Sequence, residues 1–160
     1  MNDLAVARAL HVLAVILWIG GVGMVTTVLL PVIRRSNPPG ERLEAFHALE
    51  GRFARQARLT TLLAGASGFY LTWRLEAWDR FRMVEFWWMH AMLLTWLAFT
   101  VMLFVLEPLF LDRFLTRRAR SRPEATYRFV ERLHWLLLTF SLLTVAGAVA
   151  GSHGIDWSAW

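Results

Sequence analysis

Apolar and charged stretches alternate along the chain on the scale of whole helices rather than of single turns. Residues 5–33 are almost without charge, end at Arg34 and Arg35, and are followed by the turn-forming SNPPG at 36–40. A membrane-crossing helix needs about 20 apolar residues, so this run is long enough to cross. It is also too long for the core of a signal peptide, about 7–15 residues. Residues 41–57 carry leucine and phenylalanine at helical spacing among charges and predict an interfacial helix. It leads into a second span over about 55–73, with its arginines snorkelling. A short charged, aromatic loop follows, then a third span over 86–111 interrupted by Glu107 and Pro108. The basic stretch DRFLTRRARSRPEATYR makes the next loop, a fourth span covers 130–152, and the tail ends in WSAW. The expectation is an all-α, integral membrane four-helix bundle, one domain over residues 1–160, with no internal repeat.

Composition supports that class. Hydrophobic residues make up 57% of the 160, above the fraction of about 45–50% usual for soluble domains. All 17 basic residues are arginine and the net charge is +5. In a soluble chain this would suggest nucleic acid, but here the arginines sit between apolar runs, where topology and lipid headgroups account for them, so no nucleic-acid partner is expected. Thirteen of the 17 arginines fall in the loops joining spans one to two and three to four. Only Arg8, Arg74, Arg80 and Arg82 lie at the other end. The positive-inside rule then places both termini outside, in the periplasm, for a multi-pass protein of the bacterial inner (cytoplasmic) membrane. With no cysteine, disulfides, thiolate ligands and cysteine nucleophiles are excluded. No G-x-S-x-G, H-E-x-x-H or phosphate-cradling glycine loop occurs.

The remaining chemistry lies in the histidines. His11 stands 23 residues before Arg34, and His90 stands 22 residues before Asp112. At about 1.5 Å per residue the two imidazoles are expected at matching height in the outer leaflet. Such a pair is what b-type haem takes as axial ligands, and ionisable residues inside spans are functional by default. His153, at the lip of span four, is the substitute ligand. Gly20, Gly21, Gly23, Ala64, Gly65, Gly68, Gly147 and Gly151 leave room for a flat macrocycle, and Trp18, Trp87 and Leu94 share faces with the two histidines. Arg8, Arg74, Arg80 and Arg82 are the basic partners for propionates. Plainer roles stand beside each of these: small residues pack membrane helices, and tryptophans anchor span ends. Met89, His90 and Met92, with Met24 and Met102, form a copper alternative, although they fan around their helix. Glu107 reads as an ion pair with Arg58 or Arg132. His134 reads as lining a quinone site near the opposite face, where His47 also lies.

Further features point to a family. R-A-L-H at 8–11, Trp18, Gly20 and Gly21 resemble the first span of the CopD copper-resistance membrane proteins and of the HemJ-type protoporphyrinogen oxidases, and LLP at 29–31 is closer to CopD. RFARQARLTTLLAGASGFYL at 52–71 and WWMHAMLLTW at 87–96 are similar to their following spans. The HemJ resemblance implies four inner-membrane spans and b-type haem held by His11 and His90. That family's third-span H-x-K pattern ends here in Met92, and the chain has no lysine, a departure that bears against protoporphyrinogen oxidation and leaves haem binding open. The CopD resemblance implies copper uptake or tolerance. The expected work is electron transfer or oxidoreductase activity in the membrane, with a quinone or porphyrinogen-like donor. A copper-handling protein without redox turnover is second, a cofactor-free structural subunit third, and homo-oligomerisation is open to all three.

Overall fold

The computed structural model describes residues 2–153, without the side chains of Arg52 and Asp112; the WSAW tail lies outside the described residues. Helix α1 (Asn2–Met24) passes through a π-helical turn, Val25–Leu29, into α2 (Leu30–Ser36). A turn through Pro38, Pro39 and Gly40 leads to α3 (Arg42–Arg74). Two 3₁₀ turns, Ala77–Arg82 and Val84–Phe86, precede α4 (Trp87–Val101), which widens into a π-helical segment, Met102–Leu111. Then come α5 (Asp112–Ser121) and α6 (Pro123–Ser152). No strand occurs among the described residues. Helix α3 packs most extensively on α1, α4 on α6, and contacts between α1 and α6 and between α3 and α4 close the ring.

Three helical stretches are long and apolar enough to cross a membrane: Asn2–Ser36, Val84–Leu111 and Pro123–Ser152. The expected count was four. Helix α3 has ample length, 33 residues, but from residue 56 onward Gln56, Arg58, three threonines, Ser67 and two glycines dilute its apolar character. Two other expectations change as well. The interfacial helix over 41–57 and the span after it are one continuous helix, because no proline or helix-ending turn separates them. The basic loop after 111 is itself helical as α5, broken only before Pro123.

A proline lies just beyond the first π-helical segment and inside the second, and in the second another helix answers the carbonyl that the proline's missing N–H would orphan. Before Pro31, Leu30 N–H reaches back five residues to Val25 O, and the Thr26 and Thr27 hydroxyls add bonds to Val22 O at 2.7 Å and Gly23 O at 2.8 Å. In the second segment, five-residue spacing would pair Leu103 O with residue 108, which is a proline. Arg58 Nε on α3 supplies the donor instead, at 3.2 Å, and Arg58 Nη2 pairs with Glu107 at 2.8 Å.

The core has two centres. Near the arginine-rich end, Val25, Leu30, Ile33, Leu43, Phe46, Leu115, Tyr127 and Val130 pack together, and the buried Tyr127 hydroxyl donates to Leu30 O at 2.8 Å. In mid-bundle, Ala14, Trp18, Ile19, Ala64 and Phe99 form the second cluster, joining α1, α3 and α4.

Candidate functional site

His11 lies where α1 and α3 approach closely. A side chain at Gly68 would bring a Cβ to 3.1 Å from His11 Cε1 and 3.5 Å from Nδ1, so the bare α-carbon there is what admits the ring. His11 Nδ1 is 3.0 Å from Ala64 O and 3.1 Å from Ser67 Oγ. A carbonyl can only accept, so Nδ1 carries the proton. The Ser67 hydroxyl donates its own proton to Leu63 O at 2.6 Å and turns a lone pair toward Nδ1. The tautomer is thereby fixed, and Nε2 is the bare nitrogen with its lone pair in the ring plane. Metal-binding histidines are oriented in this way, the nitrogen opposite the metal donating to a carbonyl or similar acceptor.

Seven residues along the same face, Trp18 is buried and meets Phe99 of α4 edge to face, with ring centroids 4.9 Å apart. Its Nε1–H finds no acceptor among the described residues. The Thr61 hydroxyl on α3, one turn from Ala64 and fully buried, is also without a partner among the described residues. Each orphaned buried group costs roughly 1–3 kcal/mol. Thr61 and Trp96 were not singled out by the sequence; both are neutral in a spacing argument, and only packing distinguishes them.

The other expected ligands are placed differently. His90 is exposed and donates from Nε2 to Phe81 O at 3.0 Å, with the Phe81 ring 5.4 Å away, centroid to centroid. Its bare nitrogen is Nδ1. No hydrogen bond or ring contact joins His90 to His11 among the described residues. His153 is exposed, and its Nδ1 donates to Val149 O at 2.8 Å within its own helix. His134 donates from Nδ1 to Val130 O at 2.9 Å, its ring edge-on to Phe46, which also contacts His47.

The small residues are not vacant. A Cβ at Gly65 would fall 2.5 Å from Cε2 of Trp96, whose Nε1 donates to Thr61 O at 2.9 Å. Gly147 faces Trp87 and Gly151 faces Trp88 equally closely. The room expected there for a macrocycle is filled by indoles. Gly20 and Gly21 have nothing within 4 Å of a built Cβ. Leu94 is exposed and lines no interior surface. Of the four arginines expected for propionates, Arg74 pairs with Asp3 at 2.8 Å, Arg82 with Asp79 at 3.6 Å, and Arg80 lies over the Phe86 ring at 5.3 Å, leaving Arg8 exposed. The Arg74 guanidinium and the Tyr70 hydroxyl hold the Asp3 carboxyl well below the usual carboxylate range.

Among the described residues, no group of three or more histidines, cysteines or carboxylates is placed to hold a metal ion. Met89 is buried and Met92 half-buried. Comparison with known proteins found no family, no curated protein and no solved structure that matches this chain.

Proposed function

We propose that the protein is a four-span membrane protein that carries one b-type haem on His11 and passes electrons within the membrane. The observation that carries this reading is the His11 tautomer: an imidazole on an apolar helix whose Nδ1 proton is committed to Ala64 O, leaving Nε2 as a donor nitrogen. A bare metal ion would require several protein donors. Haem iron would arrive with most of its donors and would ask the protein for only one or two nitrogens, which suits a lone oriented histidine better than copper. When bound, haem would supply one-electron chemistry; the protein would supply the His11 nitrogen, oriented by Ala64 and Ser67.

The ligand chemistry fits at His11. The three tryptophan-filled grooves do not fit a macrocycle as packed, so His11 Nε2 is the one donor here that would hold the iron. His90 would be a second holding residue only through Nδ1, the nitrogen left bare while Nε2 donates to the Phe81 carbonyl.

Helix α3 is the fourth span in this proposal. Its hydroxyls donate to its own backbone, Thr60 to Gln56 O, Ser67 to Leu63 O and Thr72 to Gly68 O, and Arg58 is bonded to the π-helical segment. Leu59, Leu62, Leu63 and Phe69 face outward, as lipid-facing residues would. Polar backbone and side-chain groups satisfied internally are what a bilayer requires. The arginine distribution then sets both termini in the periplasm of a bacterial inner membrane. The resemblance to HemJ and CopD proteins agrees with this arrangement.

The test is the absorption spectrum of detergent-purified protein, oxidised and dithionite-reduced, and again after titration of the protein with haemin. A Soret band and a sharp reduced α-band are expected, lost in His11→Ala. His90→Ala separates single-ligand from paired binding: a shifted spectrum means it is the second ligand, an unchanged one that it is not. Protein that stays colourless after haemin and retains copper on metal analysis overturns the haem reading.

A further inference from the structure

We propose that the arginine-rich end of the bundle holds a binding site for the phosphodiester headgroup of an anionic phospholipid. A cavity of about 680 Å³ opens between α2, the start of α3 and the first turns of α6. Its wall carries Arg34, Arg35, Arg42, Arg128 and Arg132 against a single carboxylate, Glu131.

The ion pairs show how much of that charge is already answered. Arg34 pairs with Glu131 at 3.4 Å. Arg42 is held on three sides, by Glu124, by Asn37 O at 3.0 Å and by the Tyr127 ring beneath it. Arg128 approaches Glu124 at 3.9 Å. Arg35 and Arg132 have no carboxylate partner among the described residues, and both are exposed. The cavity is therefore a rigid positive frame, with Arg42 as its fixed post, plus two arginines free to close on an anion. Guanidinium groups bind phosphate oxygens with paired, charge-assisted hydrogen bonds, so a phosphate-bearing ligand matches the donors.

Position distinguishes a lipid from a dissolved anion. The two remaining lining residues are Pro31 and Trp135, and Trp135 is half exposed beside them, as tryptophans are at the headgroup level. From there the outward faces are apolar in the direction of the bundle centre: Val28 and Val32 on the first helical rod, Leu136, Phe140 and Leu143 on α6. A headgroup seated among the arginines would lay its acyl chains along that surface. Basic pockets between membrane helices on the cytoplasmic side recognise anionic lipids by this combination of charge and apolar flank.

The experiment titrates full-length protein in neutral detergent with phosphatidylglycerol, phosphatidylcholine or inorganic phosphate, reading bound ligand by native mass spectrometry and stabilisation by thermal shift. Phosphatidylglycerol should bind at least tenfold more tightly than phosphatidylcholine, and inorganic phosphate should not displace it. The Arg35→Gln/Arg132→Gln pair should weaken binding roughly 30-fold, at about 1 kcal/mol for each headgroup-facing arginine. Glu131→Gln, which removes the one negative charge from the wall, should tighten it, a gain that damage to the fold would not produce. Arg80→Gln/Arg82→Gln at the opposite end should leave binding unchanged. Equal binding of the two lipids, phosphate acting as well as the lipid, an unaffected Arg35/Arg132 variant, no tightening in Glu131→Gln, or equal loss in the Arg80/Arg82 control would each overturn the proposal.

Discussion

Replacing Gly65 by alanine tests whether the tryptophan-filled grooves hold this bundle together. The added methyl would sit 2.5 Å from Cε2 and 2.7 Å from Cζ2 of Trp96, well inside contact distance. The methyl is fixed to the α3 backbone, so the indole must move. Moving it breaks the Nε1 hydrogen bond to Thr61 O, worth about 1 kcal/mol. It also spoils the edge-to-face contact with Phe69, at 5.5 Å and 85°, worth about 1 kcal/mol. Overpacking strain adds roughly 1–3 kcal/mol, and the better helix propensity of alanine returns up to about 1 kcal/mol. The net loss is about 3 kcal/mol, which at roughly 2–4 °C per kcal/mol for a chain of this size lowers the melting temperature by roughly 6–12 °C. Far-ultraviolet circular dichroism of detergent-purified protein reads this directly. Gly21→Ala, where nothing lies within 4 Å, is the control and should melt at or slightly above the parent. Trp96→Leu in the Gly65→Ala background should recover part of the loss, so that the two changes are strongly non-additive. If Gly65→Ala melts with Gly21→Ala, or the two changes simply add, Trp96 is not seated as described and the packing argument fails.

Three further outcomes follow from the same contacts. Arg58→Met should cost roughly 2–3 kcal/mol, because it strips Leu103 O of its donor. Adding Pro108→Ala should recover part of this by restoring a backbone N–H, and thermal unfolding of the single and double variants decides it. Ser67→Ala, which leaves the Ala64 bond in place, should lower haemin affinity at His11 by about tenfold without abolishing it; an unchanged titration would mean Ser67 does not help orient the ring. The Asp3 carboxyl is held below its ordinary range by Arg74 and Tyr70. Its contribution to stability is therefore complete above the unfolded carboxylate pKa and is lost only as pH falls through the depressed value. Asp3→Asn should melt lower than the parent at neutral pH, with the difference closing at strongly acid pH; a constant difference would refute the linkage.

What the sequence could and could not show follows from the kind of information each residue carries. Arginine runs and Pro-Pro-Gly mark helix ends because a charge or a missing N–H acts locally, and the first, third and fourth long helices were legible for that reason. Depth is an expectation of the same kind, since it depends only on counting residues from those ends. Rotation about the helix axis was not legible. Helices α1 and α4 are apolar on nearly every side, as lipid-facing helices are, so no polar face records which way a residue points. His11 and His90 could be assigned matching heights while their directions stayed open. The direction of α4 is set by Trp87 and Trp88 seating on Gly147 and Gly151 of α6, and its His90 then meets the Phe81 carbonyl of the preceding turn. Small residues carry the same ambiguity: a glycine shows that something approaches closely, but not whether it is a cofactor, an indole or a histidine. At Gly65 it is Trp96, and at Gly68 it is His11 itself. The feature that bears most on chemistry, the bare Nε2 of His11, depends on Ala64 and Ser67 lying one turn apart on a different helix, at a separation of more than 50 residues. A local pattern cannot encode it, because the carbonyl that fixes the tautomer belongs to the backbone and has no side-chain identity to read.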